Sequence, residues 1–209
     1  MTTTNRQTQA EQTKQRLFDT ALELFNKKGF DNVSVDEIVK QSNSSKGAFY
    51  GHFKSKYGIF IEKFKEIDSF YEEFVRTIPE EASFNEKILL LFEGQMDYLA
   101  NILGKDLMRT VYISGLNDTD ENFFANSERS LYRIVRGMIK EAIERGELQK
   151  DVDIQRLTWQ ITRCMRGTLY DWHAFGETFD LQKESREYIE VFMDGVMGRY
   201  GGERSGNRK

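Results

Sequence analysis

Few side chains in this sequence are suited to covalent or acid–base chemistry. Its 209 residues include one cysteine, Cys164, and two histidines, His52 and His173. Cys164 and His173 lie nine residues apart in one predicted helix, and at about 100° per residue this spacing places them on opposite faces. They therefore cannot form a nucleophile–base pair within one chain. No nucleotide-binding or metal-binding motif is found, so the sequence predicts no enzyme, no cofactor and no metal site.

A group of small, hydroxyl-bearing and basic side chains is better suited to contacts with DNA. Lys46 can donate to guanine O6 and N7 or to a phosphate, Ala48 suits a thymine methyl group, and Gly47 permits close approach to a groove. The Ser34 hydroxyl and the first amides of the helix behind it can bind a phosphate. The alternative is that the aromatic members only pack and the lysines are only solvated. The candidate DNA-binding residues are Ser34, Ser45, Lys46, Gly47, Ala48, Tyr50, His52 and Lys56.

Two short helices around a polar turn would position these residues. A helix predicted from Glu11 to Lys28 comes first, and residues 2–9 are expected to be a disordered tail or, alternatively, a minor-groove arm. Ser34 and Glu37 match the S-x-x-E capping pattern at the start of the second helix. Residues 42–44 have turn chemistry, and a third helix begins near Ser45. Two short helices joined in this way are the helix-turn-helix pattern.

The order and spacing of these residues form a longer motif. It reads Ala21-x-x-Leu24-Phe25-x-x-x-Gly29-Phe30-x-x-Val33-Ser34-Val35-x-x-Ile38 and then Ser45-Lys46-Gly47-Ala48-Phe49-Tyr50-x-His52-Phe53-x-Ser55-Lys56. The segment resembles the DNA-binding head of the TetR family of bacterial repressors. The resemblance implies that Tyr50, His52 and Lys56 contact phosphates and that the protein binds a double-stranded DNA operator.

The turn departs from the pattern of that family. An alanine, a glycine and a small aliphatic residue are usual where this chain has Ser42, Asn43 and Ser44. Asparagine tolerates the left-handed backbone that glycine would supply, so we expect the turn to form. Gly51 occupies a position where the family often has a larger side chain. One contact of such a side chain with the DNA backbone is therefore expected to be missing.

The remainder of the chain is also predicted to be helical. Pro79 is the single proline and strand signals are weak,. We expect an all-α fold of about nine helices. Residues 1–56 form a three-helix DNA-binding head, residues 57–200 a helical ligand-binding and dimerisation body, and residues 201–209 a disordered basic tail. The predicted body helices span about 55–76, 83–102, 105–112, 121–144, 153–175 and 181–197, with a loop over 114–120.

The charge distribution agrees with a DNA-contacting head. Residues 1–60 contain nine Lys or Arg against six Asp or Glu, whereas residues 61–209 contain twenty-one against twenty-eight. No stretch approaches the roughly 20 uninterrupted apolar residues of a membrane helix, so no membrane partner is expected. The polar N-terminus and the single cysteine predict a cytoplasmic protein without a disulfide.

Large aromatic and flexible apolar side chains recur in the body. Most are expected to form the core, but the resemblance implies that some line a pocket for a small apolar or amphipathic effector. Arg163, Arg166 or His173 would select a polar or anionic group if they face inward. The candidate ligand-binding residues are Phe92, Met96, Leu99, Met108, Tyr112, Trp159, Arg163, Met165, Arg166, Tyr170 and His173.

The last two predicted helices carry apolar residues that suit a dimer interface. The resemblance implies that these helices pair with their copies in a homodimer, and the alternative is an ordinary intrachain core. The residues in question are Leu157, Ile161, Cys164, Gly167, Thr168, Ile189, Phe192, Met193, Gly195, Val196 and Gly198. The function implied is a ligand-responsive repressor that binds a palindromic operator as a homodimer and is released by its effector. An activator, an architectural DNA-binding protein or a non-DNA interaction protein of the same fold remains the alternative.

Overall fold

The computed structural model of the chain describes residues 2–116 and 126–202. Helices dominate this part, and its one extended contact is an isolated bridge between Leu148 and Gly201. The predicted all-α fold with its N-terminal head is confirmed. The helices are α1 Thr2–Lys28, α2 Val35–Gln41, α3 Lys46–His52, α4 Lys56–Phe74, α5 Phe84–Tyr98, α6 Lys105–Leu116, α7 Ser130–Glu144, α8 Ile154–Ala174 and α9 Leu181–Tyr200.

Several element boundaries differ from the prediction. Helix α1 begins at Thr2, so residues 2–9 are helical rather than a disordered tail, since no proline or glycine interrupts them. Helix α5 ends earlier than predicted, in a π-helical turn over Leu99–Leu103 that stops at Gly104 with φ 80°. Helix α7 begins only at Ser130. The predicted loop over 114–120 and the predicted helix start at 121 fall largely on residues 117–125, which lie outside the described residues.

The contacts divide the chain into two compact units, the first made of residues 1–65 and 106–120. Within it, α1, α2 and α3 pack against one another. The ring of Phe25 stacks on that of Phe60 with centroids 4.7 Å apart, and Phe30 lies 5.1 Å from Phe25. Gly29 ends α1 with φ 77°, which is the left-handed conformation that favours glycine after a helix. Phe30 thus makes an apolar contact back onto the end of α1.

The second unit comprises residues 66–105 and 121–209. In its described part α5 packs on α7 and α9, and α8 packs on α7 and α9. Helix α4 contributes residues 56–65 to the first unit and 66–74 to the second. The domain boundary predicted after residue 56 stays a prediction. The contacts show which residues pack together, and they do not show where the DNA-binding part of the chain ends. No helix in the described ranges has the length and apolarity to cross a membrane.

The junction after α7 ties three segments of the second unit together. Gly146 ends the helix with φ 73°. The guanidinium of Arg145 donates to the backbone carbonyl of Ala82 at 3.0 Å, and a carboxylate oxygen of Glu147 accepts from the Phe84 amide at 2.6 Å. The amide of Gly202 donates to the Glu147 carbonyl at 2.9 Å. The first two residues of the predicted tail are thus hydrogen-bonded, whereas residues 203–209 lie outside the described part of the chain.

Candidate DNA interface

The turn between α2 and α3 is built as its sequence predicts. Asn43 has φ 52° and is the single non-glycine residue in the described ranges with a left-handed backbone. The amide of Ser44 donates to the Val39 carbonyl at 2.9 Å. From α1, the Arg16 side chain donates through Nε to the carbonyl of Ser42 at 2.8 Å. These bonds satisfy the backbone of the turn and fix the angle at which α3 leaves it.

A serine caps each helix of the pair. The hydroxyl oxygen of Ser34 accepts from the amide of Glu37 at 3.2 Å, and that of Ser45 accepts from the amide of Ala48 at 3.0 Å. A hydroxyl that accepts one bond can still donate another. Both serines therefore hold the helix starts and keep a donor for a phosphate oxygen.

One face of α3 is exposed. Phe49 is fully buried, whereas Lys46, Gly47 and Tyr50 are exposed, and Ser45 beside them is exposed as well. A Cβ added at Gly47 would meet nothing closer than the Ser45 hydroxyl at 3.8 Å. Glycine costs a helix about 0.5–1 kcal/mol relative to alanine, and nothing inside the protein offsets this cost. The exposed face therefore suits a partner whose surface approaches the helix backbone closely.

Two predicted contacts on the same helix lie nearer the protein interior. The side chains of Ala48 and His52 are half-buried. The ring of His52 lies 6.4 Å from that of Phe53, which is itself buried. Both side chains keep an accessible part, so the structure leaves the predicted DNA contacts of these two residues open.

Lys46 is engaged by a neighbouring carboxylate. Its ammonium lies 2.6 Å from a carboxylate oxygen of Asp36, in the first turn of α2, and both side chains are exposed. The hydrogen bond that the ammonium donates to Asp36 raises the pKa of Lys46. No local sequence pattern indicates this pair, because the two residues meet only when α2 and α3 are set against each other. Asp36 therefore competes with DNA for the Lys46 ammonium.

We expect Asp36→Asn to strengthen binding to DNA of any sequence by about 2- to 5-fold at low salt, because it removes a negative charge beside the phosphates and releases Lys46. Lys46→Ala should instead weaken binding to the operator by about 5- to 150-fold if the lysine contacts a base. Fluorescence anisotropy on operator and random DNA measures both. Glu23→Gln is the control, since Glu23 forms a similar exposed pair with Lys27 on α1. An equal response to Asp36→Asn and Glu23→Gln would argue against the interface.

Lys56 is directed toward the loop between α1 and α2. Its ammonium donates to the carbonyl oxygens of Phe30 and Val33, each at 2.7 Å, and lies 4.1 Å from the centre of the Phe30 ring. Burial lowers the pKa of Lys56. The phosphate contact of Lys56 stays a prediction, and two of its three ammonium donors hold the loop. The partners precede Lys56 by 26 and 23 residues, too far for local sequence reasoning.

The predicted ligand-binding residues fall into four groups, the last of which is half-buried. Phe92, Met96, Leu99 and Met165 are fully buried in the second unit. Met108 and Tyr112 lie on α6 in the first unit instead. Arg163 and Tyr170 are exposed on α8, so they do not face the interior of the protomer, and their contact with a ligand stays a prediction. Helical periodicity identified the apolar positions but not the unit to which each belongs.

Two of the half-buried candidates, Arg166 and Trp159, contact the buried side chain of Tyr132. The guanidinium of Arg166 donates to the Tyr132 hydroxyl at 2.7 Å, and the Trp159 ring lies 5.4 Å from the Tyr132 ring. His173 is half-buried at the other end of α8, with its ring 5.3 Å from that of Trp172. Arg166 thus points toward the body interior, where it can meet a polar group of a ligand. Tyr132 was not among the predicted residues, because its position in an apolar stripe is typical of core.

Cys164 has the environment of a structural residue. Its side chain is buried, and this burial raises the pKa of the thiol to about 12. The thiol is therefore protonated at neutral pH and cannot serve as a nucleophile. Among the described residues there is also no group of three His, Cys, Asp or Glu side chains arranged to hold a metal ion.

Helices α8 and α9 each carry a buried apolar stripe and a second stripe that is exposed. The predicted interface residues Leu157, Ile161, Cys164, Thr168, Ile189, Met193 and Val196 are buried within the protomer, so they belong to its own core. Phe192 is half-buried. The exposed stripe on α9 consists of Tyr188, Val191, Gly195 and Gly198, and that on α8 of Arg163, Gly167, Tyr170 and Ala174. We call these two stripes together the exposed α8–α9 face.

Comparison with known proteins agrees with this architecture. Residues 17–62 match the family model of bacterial regulatory proteins of the tetR family, and residues 121–197 match that of the C-terminal region of MAATS-type transcriptional repressors. The fatty acid metabolism regulator protein of Bacillus subtilis (strain 168) is 24% identical over 182 residues, which are 87% of this chain and 94% of that protein.

Two solved structures share the fold. Thermus thermophilus FadR, a TetR-family transcriptional repressor in complex with lauroyl-CoA, has a TM-score of 0.75 and 22% identity, with 93% of this chain and 100% of that chain covered. Bacillus subtilis FadR in complex with stearoyl-CoA has a TM-score of 0.61 and 24% identity, with 87% of this chain and 98% of that chain covered.

Proposed function

Because this chain belongs to the TetR family of bacterial regulatory proteins, we propose that it is a transcriptional repressor that binds a palindromic operator as a homodimer and is released by an amphipathic effector. The observation that carries the proposal is the exposed face of α3. It combines a cation, an open glycine and a tyrosine that is 56% exposed, all behind a capped turn. A recognition helix presents its first residues to the major groove in this manner.

We infer that the effector is a long-chain acyl thioester of the acyl-CoA type. Two structural relatives were solved with lauroyl-CoA and stearoyl-CoA. In this chain Phe92, Met96, Leu99 and Met165 form an apolar interior in the second unit. Methionines repack around irregular apolar ligands at low cost, which suits an acyl chain. Arg166 and Tyr132 supply polar groups at the same interior.

Helix α4 is the element through which the effector acts in this proposal. It is continuous from Lys56 to Phe74, with residues in both units. An effector can release DNA only if it binds the DNA-free conformation more tightly than the DNA-bound one. Acyl-chain binding beside the second half of α4 would favour one position of the helix, and with it one placement of the head.

The exposed α8–α9 face supports the homodimer. Tyr170 is 62% exposed, Tyr188 52% and Val191 72%. Exposed aromatic and aliphatic side chains that lie together mark protein interaction surfaces. Gly167, Gly195 and Gly198 beside them have no atom within 4 Å of an added Cβ, so a second helix can approach closely at these positions. The location of the protein in the cell stays a prediction.

Lauroyl-CoA should weaken operator binding by about 5- to 150-fold, the usual size of an allosteric coupling. Linkage requires that operator DNA weaken lauroyl-CoA binding by the same factor. The operator is first selected from a random DNA pool, and the effector is then titrated with and without it. Tryptophan fluorescence follows binding, and Trp159→Phe and Trp172→Phe assign the signal. Coenzyme A without an acyl chain is the control, and lauroyl-CoA affinity that is unchanged by operator would refute effector-controlled repression.

A further inference from the structure

Two ion pairs join the second half of α4 to the start of α7. Arg129 contacts Asp68 through two parallel bonds, Nε to Oδ2 at 3.1 Å and a terminal nitrogen to Oδ1 at 3.2 Å. One turn further along both helices, Arg133 donates to Glu72 at 2.6 Å. The four residues lie in the same unit. Because the residues are four apart on each helix, the two ion pairs lie one turn apart and fix the register of α4 against α7. We call the pairs Arg129–Asp68 and Arg133–Glu72 together the ladder.

The arginines of the ladder belong to a longer cationic stripe on α7. Arg129, Arg133, Arg136 and Lys140 follow one another at spacings of four, three and four residues, so they share one face of the helix. α4 supplies carboxylates for the first two only. The other two cations have no ladder partner, so the stripe carries more positive charge than α4 neutralises.

Arg136 is the half-buried member of the stripe, and its charge is weakly compensated in the described ranges. Its side chain is 21% exposed, and its nearest carboxylate there is that of Glu128, 3.8 Å away and itself 76% exposed. Partial burial of a charged side chain is costly unless an opposite charge lies close to it. The Arg136 side chain is therefore suited to bind a further anion such as a phosphate group.

We propose that Arg129, Arg133 and Arg136 bind the phosphate groups of the effector, and that these phosphates displace Asp68 and Glu72 from the ladder. This inference rests on the proposed function. An acyl-CoA must bury its chain while its phosphates stay near water, and the stripe offers guanidinium groups at that boundary, since Arg133 is 56% exposed. Guanidinium groups bind phosphate through paired, charge-assisted hydrogen bonds.

This exchange of partners makes the affinity of the effector differ between two states of α4. While the ladder is closed, Asp68 and Glu72 compete with phosphate for the same guanidinium groups. Once phosphate binds, these carboxylates lose their partners and the register of α4 against α7 is no longer fixed. The effector thus binds more tightly to the state with the open ladder, which is the differential affinity that release requires. No covalent step is involved.

Arg136→Gln is the decisive variant, because Arg136 has no partner on α4. We expect it to weaken lauroyl-CoA binding by about tenfold or more. Operator affinity without effector should stay unchanged, and so should the affinity for S-lauroyl-N-acetylcysteamine, a thioester of the same chain without phosphates. Arg156→Gln is the matched control, since Arg156 is an exposed arginine on α8. Isothermal titration calorimetry measures each affinity.

The reverse effect is expected when the competing carboxylate is removed. Glu72→Gln should tighten lauroyl-CoA binding by about threefold and weaken operator binding by a similar factor. If Arg136→Gln and Arg156→Gln lose lauroyl-CoA affinity equally, or if Arg136→Gln weakens the phosphate-free thioester as much as lauroyl-CoA, the phosphate site is refuted. If the unaltered protein binds no lauroyl-CoA at all, the acyl-CoA effector fails, and the phosphate site fails with it.

Discussion

Lys56→Met should lower the free energy of unfolding by about 2–4 kcal/mol, because it removes two hydrogen bonds from a charged donor to two loop carbonyls, one of which keeps only the Val33 amide at 3.3 Å,. The carbonyls are those of Phe30 and Val33, in the loop that positions α2. Methionine keeps most of the aliphatic length, so lost packing contributes little. Urea unfolding followed by circular dichroism gives the change directly.

The neighbouring Lys54 provides the matched control. It is exposed at the end of α3, so Lys54→Met should change stability by less than about 0.5 kcal/mol. If Lys56 were mainly a phosphate contact, the two variants would be equally stable and Lys56→Met would only reduce the salt dependence of DNA binding. That result would overturn the structural role assigned to Lys56. The structure instead predicts that DNA binding by Lys56→Met recovers at temperatures where the head is folded.

Local signals in the sequence were sufficient for the helix-turn-helix and its caps. Ser34, Ser45 and Ser83 cap helices through a bond three residues ahead, and Asn43 adopts the left-handed turn. Each of these depends on a few adjacent residues, so the residue types alone indicate the conformation. The ammonium of Lys56 instead donates to carbonyls in a loop more than twenty residues earlier in the chain. No local sequence pattern indicates this long-range contact.

The ligand-binding candidates show a second limit of prediction from the sequence. Met96 and Met108 look alike as apolar positions in helical stripes, yet the contacts place them in different units. Hydrophobic periodicity tells which side of a helix is apolar and not which neighbours cover it. The same ambiguity affected α9, where Ile189 is buried in the protomer and Val191, two residues later, is 72% exposed. Both stripes are apolar, so the sequence could not separate the core from the exposed α8–α9 face.

The distinction between the buried and the exposed stripe of α9 decides which residue should be replaced to test the dimer. Phe192 was the natural target from the sequence, but it is half-buried, and a charge at that position would also disturb the protomer. Val191 is exposed and lies between Tyr188 and Gly195 on the exposed stripe. A carboxylate at position 191 is harmless in a monomer and becomes a buried, unpaired charge in a dimer formed through this face.

Val191→Asp should therefore leave the fold intact and convert a micromolar dimer into a monomer, as measured by sedimentation velocity. Operator affinity should fall by about 100-fold or more, because the second head no longer benefits from the high effective concentration that the dimer provides. Val191→Ala removes apolar area without adding charge and should remain a dimer with nearly unchanged operator affinity. If Val191→Asp still sediments as a dimer and binds the operator like the unaltered protein, the exposed α8–α9 face is not the interface. Two heads on one palindrome would then have to be joined through another surface.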